Sequence, residues 1–172
     1  MIEIKGDLFD EPCDAFCITT NGFVKPNGAA VMGRGCALTA KTRLKGIDKE
    51  LGSLIKENGN IVQVITWTKG KAVLSFPVKP EWTLCKPDKS NVVTHQRKWF
   101  KPHDMVPGYA SLASLVVIER SAHELVALAD TMGWKKVVLT KPGCKNGQLG
   151  WVEVRPVLSD VFDDRFHVID WG

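Results

Sequence analysis

The sequence predicts a three-layer α/β/α sandwich around a central mixed, mostly parallel β-sheet. Three observations carry that prediction. Short runs of apolar and β-branched residues alternate along the chain with longer amphipathic stretches, the order that builds a largely parallel sheet between helix layers. The run from Ala15 to Ile18 is continuously apolar, as in a strand covered on both faces. Glycine-rich loops at 28–35 and 141–147 follow apolar runs, and in such sheets ligands gather outside the carboxyl ends of strands.

The elements follow in order. Ile2 and Ile4 alternate with Glu3 and Lys5, a short strand that stops at Gly6-Asp7. After Ala15 to Ile18 and a loop at 21–28, Met32 to Leu44 is expected to be helical, ending near Gly46. Asp48 is placed to cap a second helix with Leu51, Leu54 and Ile55 on one face and Gly59 as terminator. Ile61 to Ile65 and Ala72 to Phe76 are strands by their β-branched and aromatic content. A long polar stretch, 78–108, carries prolines at 80, 87, 102 and 107; a connection of that length inside a compact domain is usually functional or mobile. The clearest helix follows, with Leu112, Leu115, Val116, Leu125, Val126, Ala129 and Met132 expected on one face and Gly133 closing it. Val137 to Leu139 is a buried strand. Trp151, Val154, Leu158 and Val161 point a last helix inward, with Pro156 in its first turn or kinking it. Phe166 to Ile169 is the final strand.

At 172 residues without repeat, linker or low-complexity tract, the chain is expected to form a single domain over 1–172. A net charge of +4 favours an anionic ligand modestly and is far below that of a dedicated nucleic-acid binder. The five cysteines are odd in number and contain no C-x-x-C, which fits reduced thiols in a cytoplasmic protein better than a disulfide framework. The opening Met-Ile-Glu-Ile-Lys is a strand and not a signal peptide, and no run of 18 apolar residues exists. A soluble cytoplasmic monomer, with no membrane association and no cofactor, is the expectation.

Chemistry is concentrated in three places. Gly28-Ala-Ala-Val-Met-Gly33-Arg-Gly35-Cys-Ala-Leu reads as strand end, glycine loop and first helical turn. Backbone amides can approach a ligand there and the helix start offers unpaired donors, which suits a phosphate. A turn or packing role fits the same glycines. Lys79 follows a buried strand and Pro77, so a desolvated amine with lowered pKa, able to act as nucleophile or base, stands against an ordinary loop lysine. Segment 79–101 interleaves Lys79, Lys86, Lys89, Arg97, Lys98 and Lys101 with Trp82, Trp99 and Phe100. Basic plus aromatic residues hold single-stranded nucleic acid, and the same aromatics can seal a loop onto the core. No G-x-S-x-G elbow occurs, and His95, His103, His123 and His167 show no metal spacing; structural roles and no metal are expected.

Several motifs, in this order, resemble the macro domain, the ADP-ribose-binding module. Gly6-Asp7-Leu8 is similar to the family's opening Gly-Asp-Leu/Ile, and Asp14-Ala-Phe-Cys-Ile-Thr-Thr-Asn21 to its Asp-Ala-Ile-Val-Asn-Ala-Ala-Asn. Val31-Met-Gly-Arg-Gly-Cys-Ala37 resembles the Met-Gly-x-Gly-x-Ala of the diphosphate loop, and Pro142-Gly-Cys-Lys-Asn-Gly-Gln-Leu149 with Trp151 the second phosphate loop. Phe76-Pro-Val-Lys79 with Trp82 is similar to the Phe-Pro-Thr-Lys…Trp of the antitoxin-type DNA ADP-ribosyl glycohydrolases.

The resemblance implies roles. Asp7 would recognise the adenine amino group, with Leu8 lining that pocket. Asn21 would lie near the distal ribose. Val31, Met32, Gly33, Arg34 and Gly35 would surround the diphosphate, and Gly143, Cys144, Lys145, Asn146 and Gly147 would close its second side. Lys79 would be the catalytic candidate near the anomeric carbon, with Asn21 orienting the ribose. Two departures matter. Ile18 replaces the first Asn of the family's Asn-x-x-Asn, and Gly147 stands where the protein-deglycosylating branch carries an aspartate. The connection from Asn21 to Met32 is also longer than in the antitoxins. The expected function is hydrolysis at the distal ribose of an ADP-ribosyl group, released from a base in DNA, a protein side chain or a 1″-phosphate. A non-catalytic reader of ADP-ribose is the alternative. The candidate partners are ADP-ribose or an ADP-ribosylated macromolecule, with single-stranded nucleic acid through 79–101.

Overall fold

Residues 1–171 are described by a computed structural model. In chain order they form β1 (Ile2–Lys5), β2 (Ala15–Thr20), α1 (Gly35–Arg43), α2 (Ile47–Asn58), β3 (Gln63–Thr68), β4 (Lys71–Pro77), β5 (Trp82–Leu84), β6 (Met105–Pro107), α3 (Leu115–Met132), β7 (Val137–Thr140), α4 (Trp151–Ser159) and β8 (Phe166–Asp170). Six strands make the central sheet in the order β1-β8-β7-β2-β4-β3. Every pairing is parallel except the β3–β4 edge pair. The mixed, mostly parallel sheet anticipated from the alternation of elements is present.

β2 shows why its sequence is apolar on both faces. Ala15 and Cys17 pack into the cluster beneath α3 and α4, while Phe16 and Ile18 pack into the cluster beneath α1 and α2. Successive side chains of a strand point to opposite faces, so a sheet with two helix layers needs apolar residues at every position. β2 pairs with β4 on one side and β7 on the other. Its carboxyl end, with those of β4, β7 and β8, therefore opens onto one edge.

Several boundaries differ from the expectation. α1 starts at Gly35 and not Met32: Arg34 is extended at its N-cap, and Met32 is buried in the core under that helix. Asp48 does not cap α2. Gly46 occupies that position with φ +87°, and Asp48 lies in the first turn, its carbonyl accepting from the Ala30 amide at 2.8 Å. The strand expected from Ile61 begins at Gln63. In α3 the inward stripe is Ile118, Ser121, Ala122, Leu125 and Ala129, with Ser114 as N-cap and Gly133 as C-cap. Val116 and Met132 are exposed and Leu112 precedes the helix. Ser114 caps the helix after Leu112, so Leu112 shares no helical register with the stripe of α3. Pro156 lies inside α4, past its first turn.

The polar stretch after β4 is ordered. β5 and β6 pair antiparallel into a second, two-stranded sheet. Cys85, Val92, Val106 and Ala110 form a small core under it, with Phe100 packed against them. A 3-10 helix, Thr94–Trp99, lies between the two strands.

Candidate functional site

A cavity of about 440 Å³ opens at the carboxyl edge of the sheet, within the size range of small-molecule sites. Its walls come from the ends of β2, β4, β7 and β8 and from the two glycine loops. Asn21, Val31, Gly33, Arg34, Gly35, Lys79, Gly143, Cys144, Lys145, Asn146 and Gly147 all line it. The cavity thus collects residues from four distant parts of the chain.

One wall is a phosphate-type cradle. α1 begins at Gly35 with no side chain capping it, so the amides of Gly35, Cys36 and Ala37 have no acceptor a turn below. These three residues line the cavity, and the positive end of the helix dipole is aimed into it. Gly35 has φ +57°, and a Cβ there would sit 3.1 Å from Asn146 Nδ2. The two glycine loops therefore approach each other across the cavity.

The second loop turns tightly on itself. The Leu149 amide donates to Gly143 O at 2.9 Å and that of Gln148 to Lys145 O at 3.0 Å. The amides of Lys145, Asn146 and Gly147 find no partner among the described residues, which leaves a run of donors of the kind that binds anions. A Cβ on Gly147 would lie 2.5 Å from Ala113 Cβ and 2.6 Å from Gly143 O. No side chain fits at this position, so an aspartate cannot stand here.

Lys79 is a buried lysine on the cavity wall. It is 7% exposed and its Nζ donates to Tyr109 O at 3.3 Å. No carboxylate pairs with it among the described residues. Burial, with the nearby Arg34 guanidinium as a second cause, lowers its pKa from 10.5 to about 8. Of the two readings of Lys79, the buried amine and not the ordinary loop lysine is the one the fold produces. Asn21 uses its amide locally: Nδ2 donates to Val31 O at 3.1 Å and Oδ1 accepts from the Phe23 amide at 2.9 Å. Its side chain is thereby fixed at the cavity wall, pinning the 31–35 loop to the end of β2.

Three of the anticipated binding residues do not line the cavity. Met32 and Leu8 are buried in the core. The Asp7 carboxylate accepts from the Phe9 amide at 2.8 Å and stands 3.9 Å from Arg43 Nη2. Phe9 in turn packs edge-on against Trp171 at 5.9 Å, and Trp171 does line the cavity. Asp7 is thus linked to a lining residue through Phe9 and is not itself on the cavity wall.

The structure adds residues that sequence reasoning did not single out. Thr19, Thr20, Thr140, Asp170 and Trp171 line the cavity from strand ends, a place the parallel-sheet rule covers once β7 and β8 are known neighbours. Val93, His95, Gln96 and Tyr109 enter from the segment after β4. That segment is tied to the second glycine loop, where Gln148 Oε1 accepts from the Thr94 amide at 3.2 Å. No local pattern announces such a contact. Of the interleaved aromatics, Phe100 seals the small core, whereas Trp82 and Trp99 are exposed. Trp82 packs on Phe23 at 5.0 Å, and Phe23 on Tyr109 at 5.2 Å, so an aromatic row runs from the cavity wall to the surface. Among the described residues no group of three or more His, Cys, Asp or Glu side chains is placed to hold a metal ion. No helix there is long and apolar enough to cross a membrane.

Neither a protein-family model nor a curated protein matches the sequence. Solved structures do. The chain is similar to the macrodomain of Mycobacterium tuberculosis DarG over 100% of its own length and 97% of that chain, with TM-score 0.69 and 22% identity. The chain has the macrodomain fold. It is similar also to the macrodomain of Thermus aquaticus DarG, at TM-score 0.65 and 18% identity over 99% of this chain and 97% of that one. A third structure, Thermosipho africanus DarTG in complex with ADP-ribose, matches at TM-score 0.66 and 15% identity over 99% of this chain and 41% of that longer one. In this fold the cavity lies where the α/β topology puts ligands, outside the carboxyl ends of the parallel strands.

Proposed function

We propose that this macrodomain binds ADP-ribose in the cavity and hydrolyses the bond between its distal ribose and an attached group. The observation that carries the proposal is the juxtaposition of Lys79, a buried amine with pKa about 8, with two loops of free amides lining one cavity. The loops suit a diphosphate, with Arg34 and Lys145 adding positive charge. Trp171 supplies the end suited to an adenine, and the Asn21–Lys79 end receives the distal ribose. The ADP-ribose seen with Thermosipho africanus DarTG supports that ligand.

Neutral Lys79 then acts in one of two ways. As a base it takes a proton from water, whose oxygen bonds to the anomeric carbon while the bond to the leaving group breaks and that group departs with the electron pair, gaining a proton. As a nucleophile, its nitrogen bonds to that carbon first, and water later replaces the amine. The exposed Trp82 and the basic residues of 79–101 favour a macromolecular leaving group, with ADP-ribosylated single-stranded DNA the first substrate to test. The absence of room for a carboxylate at Gly147 favours a second reading, a reader that holds ADP-ribose without turnover.

Calorimetry with ADP-ribose against AMP and NAD tests the pocket. Lys79→Ala separates enzyme from reader. Turnover should collapse while ADP-ribose affinity stays within about threefold. No binding at millimolar ADP-ribose refutes the proposal.

A further inference from the structure

Between α2 and β3 lies Asn60, a residue on no wall of the cavity. Its side-chain Nδ2 donates to Lys79 O at 3.0 Å. Its own carbonyl accepts from Arg120 Nη2 of α3 at 2.7 Å. Its carboxamide also lies flat against the backbone that follows Asn21. A Cβ on Gly22 would be 2.5 Å from Asn60 Cγ, and Gly22 has φ +75°. Glycine there leaves the space that Asn60 fills.

One side chain thus braces both halves of the reacting end, the Asn21–Gly22 turn and the Lys79 main chain, and α3 anchors it in turn. We infer that Asn60 is the positioning residue of this site, holding the Lys79 main chain so that its amine is presented in the cavity and not to solvent. The inference rests on Lys79 as the reacting amine. Lys79 has Tyr109 O as its side-chain hydrogen-bond partner and no paired carboxylate among the described residues. Its placement therefore depends on where the backbone is held. The neighbouring Val78 is fixed by β2 and α3, its amide donating to Thr20 O at 3.0 Å and its carbonyl accepting from the Ser114 amide at 2.9 Å. Asn60 supplies the corresponding restraint one residue later, where the chain leaves the sheet. Loss of that restraint lets the Lys79–Pro80 segment swing outward and hydrate the amine.

The test is an NMR titration of the full chain with 13Cε-labelled lysine, the Lys79 signal assigned by its loss in Lys79→Arg. Asn60→Ala deletes the donor. Asn60→Leu deletes it while keeping the volume against Gly22, which guards against a variant that fails to fold. Ser121→Ala serves as the matched control, because Ser121 Oγ donates to Pro77 O at 2.7 Å and braces the end of β4 without touching Lys79. In both Asn60 variants the Lys79 midpoint should rise by at least about one pH unit towards its free-lysine value, as a rehydrated amine requires. Turnover of an ADP-ribosylated substrate should fall at least about tenfold with ADP-ribose affinity within about threefold. A folded Asn60→Leu whose Lys79 midpoint matches the parent overturns the inference, as does an equal rise in Ser121→Ala. If the midpoint moves but the parent shows no hydrolysis, the positioning role stands and the hydrolase proposal falls.

Discussion

Replacing Lys79 by methionine should stabilise this protein at neutral pH. The amine is 7% exposed and titrates at about 8 in the fold against 10.5 when free. At about 1.4 kcal/mol per pH unit, keeping it charged destabilises the folded state by about 3 kcal/mol. The direction follows from linkage. Below pH 8 both folded and unfolded chains carry the proton, and the whole penalty is present. Between 8 and 10.5 the unfolded chain binds more protons, so stability rises with pH, and above 10.5 the penalty is gone. Methionine keeps the stem buried and removes the charge, while Tyr109 O loses its 3.3 Å donor, a loss of about 1 kcal/mol. The net gain at pH 7 is about 2 kcal/mol, or about 4–8 °C in melting temperature for a chain of this size. Thermal melts of both proteins from pH 6 to 10.5 read it directly. The parent's Tm should climb relative to the variant's above pH 8, meet it at about pH 9.5 and pass it by about pH 10.5. A variant that melts no higher than the parent at pH 7, with a gap independent of pH, would show that Lys79 is not held desolvated.

Three further outcomes are expected. In the hydrolysis reaction, kcat should rise through a limb near pH 8 as Lys79 loses its proton. Where the lysine adduct opens its ribose ring to an imine, borohydride trapping during turnover that is lost in Lys79→Arg would assign the nucleophilic route over the base. Gly35→Ala, with φ +57° and Asn146 Nδ2 3.1 Å from the new Cβ, should weaken ADP-ribose at least about tenfold by calorimetry, since it forces the loop open where its amides face the cavity. Gly147→Ala meets Ala113 Cβ and the Gly143 carbonyl; chemical denaturation should show a loss of about 1–3 kcal/mol, accompanied by lost ligand binding.

The sequence determined the α/β alternation, the two-faced burial of β2 and the chemical character of the loops, because these are local properties. Apolar periodicity reports which faces a segment must bury. Glycine spacing reports where backbone can be bared to a ligand. Lys79 was legible as a candidate, a lysine just past a buried strand and a proline, but the sequence left an ordinary loop lysine open and its burial was decided by the fold. Tertiary structure alone decided what faces those groups. Asp7 turned into a cap for Phe9 and a neighbour of Arg43, and it is Trp171, packed on Phe9, that lines the cavity. His95 and Gln96 reached the wall because a 3-10 turn far along the chain is tied to Gln148. Gly147 has no room for a side chain because Ala113, more than thirty residues earlier, packs against it. Contacts between residues distant in sequence leave no periodic trace: each depends on strand order and on how the layers close, and neither is written in any one segment.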